Sequence, residues 1–242
     1  MKRLKVLLLV ITVIPMSGCA GDLARRHNLA ASSYIESKQY DEAIKEAKQS
    51  IAQDPNCILD TWYCGWYYLG EANLSKGNYS EAISALKKVT ELKPQNSNMF
   101  RWLGTAYFHN GQYQEAVNAS KKALELKPSK PDLEIEALEN LAKSYVALKQ
   151  FGSAVSAQKR AIEINPSDSA RLATLAYVYL QAGQHDEVIA AAKRAIELRP
   201  DHDSAYINLG AAYGRKKQYS EAIKALQKAI EINPKRSEAY DW

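Results

Sequence analysis

Histidine and cysteine have the widest chemical range of the residues in this 242-residue chain, and their spacing decides which chemistry is open to them. His27, His109, His185 and His202 stand far apart. None falls into an HxxxH or CxxC spacing that would bring two ligands to one metal. His109 precedes a helix-ending glycine turn, and His202 lies between Asp201 and Asp203 in a loop. Cys57 and Cys64 are seven residues apart. They form either a disulfide, which an oxidising compartment favours, or two small, partly buried thiols. Geometry separates the two, because Cα atoms more than about 7 Å apart cannot be bridged. No GxSxG, no P-loop and no GxGxxG opening a helix after a strand is present. Charged groupings such as Glu42, Lys45, Glu46 and Lys48 read as solvated helix faces. The sequence offers no metal set, no cofactor motif and no catalytic constellation, so the reading is a non-enzyme whose chemistry is binding.

What it binds is narrowed by charge. The net charge of +5 includes Lys2, Arg3 and Lys5 in a leader segment; acids and bases are interleaved through the rest. That is no electrostatic footprint for nucleic acid, and a protein or peptide is the expected partner. Apolar content of 46% with 24% charged residues is that of a folded chain.

The leader has its own pattern. Met1–Lys5 is short and basic, Val6–Ile14 is apolar apart from Thr12, and Pro15-Met16-Ser17-Gly18-Cys19 follows. A basic start, a short apolar run and small residues before a cut site describe a secretory signal over 1–18, too short to span a bilayer. Met16-Ser17-Gly18-Cys19 resembles the bacterial lipobox, with Met16 where that family prefers leucine. The resemblance implies a diacylglyceryl thioether on Cys19, an added acyl chain and a stable membrane anchor. Ala20 follows where an aspartate would favour retention in the inner membrane. The expectation is therefore a lipoprotein on the periplasmic face of the outer membrane, with residues 19–23 as a short lipidated linker.

The elements that must position any binding residue are repeats. Pro55, Pro94, Pro128, Pro166, Pro200 and Pro234 recur at intervals of 34 or 38–39 residues. Each repeat also carries a turn of one kind: Lys38-Gln39-Tyr40, Gly77-Asn78-Tyr79, Gly111-Gln112-Tyr113, Lys149-Gln150-Phe151, Gly183-Gln184-His185 and Lys217-Gln218-Tyr219. Asp41, Ser80, Asp186 and Ser220 are expected to cap the second helices. Around the turns lie apolar residues at helical spacing, as in Leu103, Gly104, Tyr107, Ala116 and Ala123. Small residues (Gly70, Gly104, Gly210, Ala142, Ala176) allow close helix approach. His27 and His185 stand where a packing aromatic is usual.

This pattern resembles the tetratricopeptide repeat over 24–57, 63–96, 97–130, 135–168, 169–202 and 203–236, with a tail at 237–242. The resemblance implies an all-α fold, a right-handed superhelix (α-solenoid) of tandem helix-turn-helix units. The longer intervals leave Ile58–Trp62 and Pro131–Glu134 between repeats, each read as an early start to the next first helix. Pro131 suits a first helical position.

In that family the first helices line a concave groove with their second, fifth, ninth and twelfth residues. The resemblance implies a partner-binding groove that includes Tyr67, Glu71, Leu74, Asn98, Arg101, Thr105, Phe108, Lys143, Tyr177, Leu180 and Ile207. The register of a carboxylate clamp for chaperone tails falls on Arg101, Thr105, Asn140, Ala170 and Thr174, which lack most of the required groups. Trp62, Tyr63, Trp66, Tyr67 and Tyr68 crowd one segment, where an aromatic hot spot is conceivable. The last second helix, with Ile223, Leu226 and Ile230, presents an apolar edge open to self-association. A lipoprotein built from six such repeats resembles the type IV pilus pilotins, which support outer-membrane secretin assembly. The alternatives are an adaptor for peptidoglycan enzymes or other envelope proteins, or a regulatory subunit of a separate enzyme.

The anchor is directly testable. Cys19→Ser should release the protein from membranes into the periplasmic fraction; retention in the membrane pellet would refute the lipobox reading.

Overall fold

Twelve α-helices and no strand make up residues 20–58 and 63–235, the part described by the computed structural model. The leader, Cys19, Trp62 and the 237–242 tail lie outside the described residues. The helices alternate as first and second members of each repeat. They are α1 (Ala20–Glu36) with α2 (Tyr40–Gln53), α3 (Gly65–Lys76) with α4 (Tyr79–Leu92), and α5 (Ser97–His109) with α6 (Tyr113–Glu125). Then come α7 (Pro131–Ala147) with α8 (Phe151–Ile164), α9 (Ser169–Gln181) with α10 (His185–Leu198), and α11 (Asp203–Arg215) with α12 (Tyr219–Ile232). Each helix packs on its neighbours in sequence, and α1 also meets α3, α5 meets α7 and α9 meets α11. No described helix is long and apolar enough to cross a membrane.

Every repeat turns back on itself in the same way. Lys38, Gly77, Gly111, Lys149, Gly183 and Lys217 all have positive φ, the left-handed backbone that ends a helix. The amide of the following residue reaches back to a carbonyl five residues earlier: Gln39 N to Tyr34 O at 2.8 Å, and Gln112 N to Tyr107 O at 2.9 Å. The carbonyl of that same residue then accepts the first bond of the second helix, as in Ala43 N to Gln39 O and Ala116 N to Gln112 O, both 3.0 Å. One residue thus closes the first helix and caps the second.

That arrangement corrects the expected caps. Gln39, Asn78, Gln184 and Gln218 occupy the N-cap positions, and the second helices start at the ring-bearing residue. Asp41, Ser80, Asp186 and Ser220 are pushed into the first turn, because no residue is left over between the two helices.

Within a repeat, the helices approach at the small residues. A Cβ on Gly70 would lie 2.6 Å from Leu86 Cγ, and one on Gly104 would lie 2.8 Å from Ser120 Oγ. Leu86 is fully buried and has nowhere to go. Rings and branched chains fill the layers between repeats, in clusters such as Val89, Met99 and Leu103, or Leu172, Val188 and Leu209.

The two long junctions resolve differently. At the second, α7 begins at Pro131 in its first turn, with Lys130 as N-cap. At the first, no early start occurs: Tyr63 and Cys64 are non-helical and α3 begins only at Gly65. The physical reason is a covalent tie. Cys57 and Cys64 are joined as a disulfide with Cα atoms 5.5 Å apart, so Cys64 is held at the end of α2 and serves as the N-cap of α3. Trp66 Nε1 donates to Pro55 O at 2.9 Å across the same junction. Residues 20–23, expected as linker, are already the first turn of α1. At the other end, Ile223 is 56% exposed, whereas its repeat equivalents Ile83 and Val117 are buried against a following helix.

These local rules predict opposite responses to two glycine changes. Lys149→Gly removes left-handed strain of about 1–2 kcal/mol against a smaller entropic loss, and should raise the urea midpoint. Gly70→Ala should lower it by an overpacking cost of about 1–3 kcal/mol, despite the better helix propensity of alanine.

Candidate functional site

The first helices α1, α3, α5, α7, α9 and α11 present one continuous face, and polar side chains lace it from helix to helix. Asn98 Nδ2 donates to Tyr63 OH at 3.4 Å, and Asn98 Oδ1 accepts from Arg101 Nε at 2.9 Å. Arg101 pairs with Glu136 on α7 at 2.6 Å, while its guanidinium lies 4.5 Å over the Trp102 ring. Asn140 Nδ2 donates to Thr105 Oγ1 at 2.7 Å. On α9, Arg171 Nε donates to Glu139 Oε1 at 3.0 Å and its other arm holds Asp168. Asn208 Nδ2 then donates to Ala173 O at 2.9 Å, joining α11 to α9. These bonds satisfy groups that would otherwise be costly to bury, and they fix the spacing of the face.

The two halves of the face differ. In the N-terminal half, Tyr67 is only 7% exposed and Arg101 only 8%. Tyr67 packs among Tyr63, Tyr68 and Trp102 and donates its hydroxyl to Glu71. Burial, then the neighbouring Glu71 carboxylate, pushes the Tyr67 phenol far above its usual range. Burial likewise raises Glu71, against the Tyr67 hydrogen bond and the pull of Arg101, and lowers Arg101 against the pull of Glu136. Tyr67 and Arg101 therefore lie at groove positions yet are part of the packing. Glu71, Leu74, Asn98, Thr105 and Phe108 remain half-buried. Cys64, the neighbouring groove position, is consumed by the disulfide.

The C-terminal half is open. Helix α7 packs directly on α5 but barely reaches α9, and a cavity of about 590 Å³ lies between α7 and α9. Phe108, Lys143, Val146, Arg171 and Tyr177 are among its walls. A second cavity of about 820 Å³ lies between α9 and α11, bounded by Tyr177, Leu180, Ile207 and Arg215. The two share Ala170, Thr174 and Tyr177. In the wall of the second stands Ala173, where repeats two, three and four carry Tyr67, Arg101 and Glu139. Tyr177, 47% exposed, forms the ridge between the cavities. Of the expected groove residues, Phe108, Lys143, Tyr177, Leu180 and Ile207 are brought together here.

Three features were not read from the sequence. Arg171 braces Glu139 and Asp168, and the only hint was an aspartate three residues before it. Gln158 is buried under the first cavity, where other repeats place Leu86, Ala192 or Ser120. His202 is a buried N-cap of α11, with Nδ1 2.6 Å from Ser169 Oγ. That pair is no nucleophilic dyad. The Ser169 hydroxyl donates to Ala195 O at 2.8 Å, so the ring nitrogen must donate to the serine and cannot deprotonate it. Burial, then Arg199, holds His202 below the ordinary histidine range. Among the remaining histidines, His27 pairs with Glu46 at 2.6 Å and His109 stacks on Tyr79. Among the described residues no cluster of three or more potential metal ligands occurs.

Tetratricopeptide-repeat models match residues 24–57, 96–167, 145–213 and 204–236, and a TPR-repeat model matches 70–111. The curated relatives it resembles are far longer: the chain spans 18% of one and 6% of another. Among solved structures, MamA is 30% identical, with a TM-score of 0.62 over 70% of this chain and 97% of that one. YrrB, described as a TPR protein with an unusual peptide-binding site, is 23% identical, with a TM-score of 0.63 over 81% of this chain and 96% of its own. PilW, described as a widely conserved type IV pilus biogenesis factor, is 17% identical but has a TM-score of 0.74 over 90% of this chain and 97% of its own. At those identities the last two speak for the fold alone. With its repeated turns, its paired helices and models that match most of its length, the chain belongs to the tetratricopeptide repeat family, whose members are scaffolds for protein–protein interaction.

Proposed function

We propose that this scaffold is lipid-anchored through Cys19 on the periplasmic face of the outer membrane. In this reading its groove holds a protein partner that takes part in assembling an outer-membrane secretin for type IV pili. The observation that carries the binding role is the open C-terminal half of the face: two adjoining cavities with a half-exposed tyrosine between them, on helices braced by ion pairs and hydrogen bonds. Exposed aromatic side chains in a pre-formed concavity are what interfaces use as anchors. The anchor rests on the lipobox-like Met16-Ser17-Gly18-Cys19. The pilus role rests on architecture, since PilW shares nearly the whole fold.

Deletion of the protein should lower the yield of secretin multimers in the outer membrane, read on gels without boiling. A Phe108→Ala/Tyr177→Ala variant, which spares the packed Tyr67, should lower it to the same extent. Unchanged multimers on deletion would refute the pilus role, and full function of the double variant would refute the groove.

A further inference from the structure

The charge on the open half of the groove says more about its occupant. Glu139 and Asp168, the carboxylates on the wall of the α7–α9 cavity, are both engaged by Arg171. Lys143, on the same wall, is exposed and forms no ion pair among the described residues. The α9–α11 cavity has no carboxylate in its wall; its ionisable residues are Arg215, His185, His202 and Tyr177. At the opposite end of the face Glu71 is half-buried and engaged by Tyr67, whereas the walls of the two cavities carry the exposed cations Lys143 and Arg215. The floor of the cavities is apolar on either side of Tyr177, through Val146 and Ala142 in one cavity and Leu180 and Ile207 in the other.

Resting on the groove reading above, we propose that the segment bound across α7, α9 and α11 is an acidic amphipathic peptide stretch of a partner protein. Two apolar side chains enter the cavities on either side of Tyr177, and a carboxylate faces Lys143. The apolar anchors supply affinity, and the charge selects the segment and repels basic ones.

The test is a random-peptide display library panned against the purified protein. Selected peptides should pair two apolar residues with an excess of Asp and Glu. A synthetic consensus peptide should bind about tenfold more weakly to Lys143→Glu, and its lysine-substituted counterpart should bind that variant better than it binds the wild type. Tyr177→Ala should weaken both peptides. Both side chains are exposed, so the fold survives these changes. A selection without acidic excess, no selectable peptide, or indifference to Lys143→Glu would overturn the inference. Failure of the pilus reading is read separately: acidic peptides that compete at Tyr177 while secretin multimers are unaffected by deletion leave this inference standing and remove that one. Neutral or basic selected peptides together with lost multimers do the reverse.

Discussion

The fold depends on a turn that reverses the chain in about three residues while one residue closes the helix behind it and opens the helix ahead. A helix ends with free carbonyls, and the next one begins with free amides. Here one residue serves both, its amide answering the helix behind and its carbonyl opening the helix ahead, as Gln112 does between Tyr107 and Ala116. The left-handed residue before it makes this geometry possible. Because the turn is the same in all six repeats, each second helix leaves at a similar angle, and Gly70, Gly104 and Gly210 meet their partners at the same height. The uniform stack follows from a local solution repeated, with few long-range contacts needed to specify it.

What distinguishes one part of the stack from another is how the first-helix face is filled. Large rings and a buried arginine occupy it near α3 and α5, where Asn98, Arg101 and Glu136 satisfy one another. A buried guanidinium is tolerated only because Glu136, Asn98 and the Trp102 ring surround it. Near α9 the position of Tyr67 and Arg101 holds Ala173, near α11 it holds Ile207, and the space between them is cavity. Arg171 holds Glu139 and Asp168, and Lys143 stands exposed on the same wall. Packing and electrostatics thus divide a uniform scaffold into a closed half and a receptive half.

The disulfide is the one place where covalent chemistry overrides the repeat. Helical period alone would carry the chain from Ile58 directly into the next first helix. The bond between Cys57 and Cys64 instead holds Cys64 at the junction as the cap of α3. The extra residues at Pro131 instead join the following first helix, which begins there.

The class of fold, the order of its helices and the small residues where they touch were legible in the sequence. They follow from period, from proline and glycine, and from propensities that act over a few residues. The first-helix face was legible as positions, since the register of Phe108, Lys143, Tyr177 and Leu180 comes directly from the repeat. Which of those positions are free was not legible, because burial depends on side chains from three or four helices at once. Tyr67 and Tyr177 both lie at groove positions, but Trp102 and Tyr63 pack on the first while the second stands 47% exposed between two cavities. The capping residues were misplaced for the same reason, since a cap is defined by the helix on its other side. Sequence alone determined the scaffold, through interactions local in the chain; the tertiary structure decided where it is open, because openness is a property of neighbours brought together only by folding.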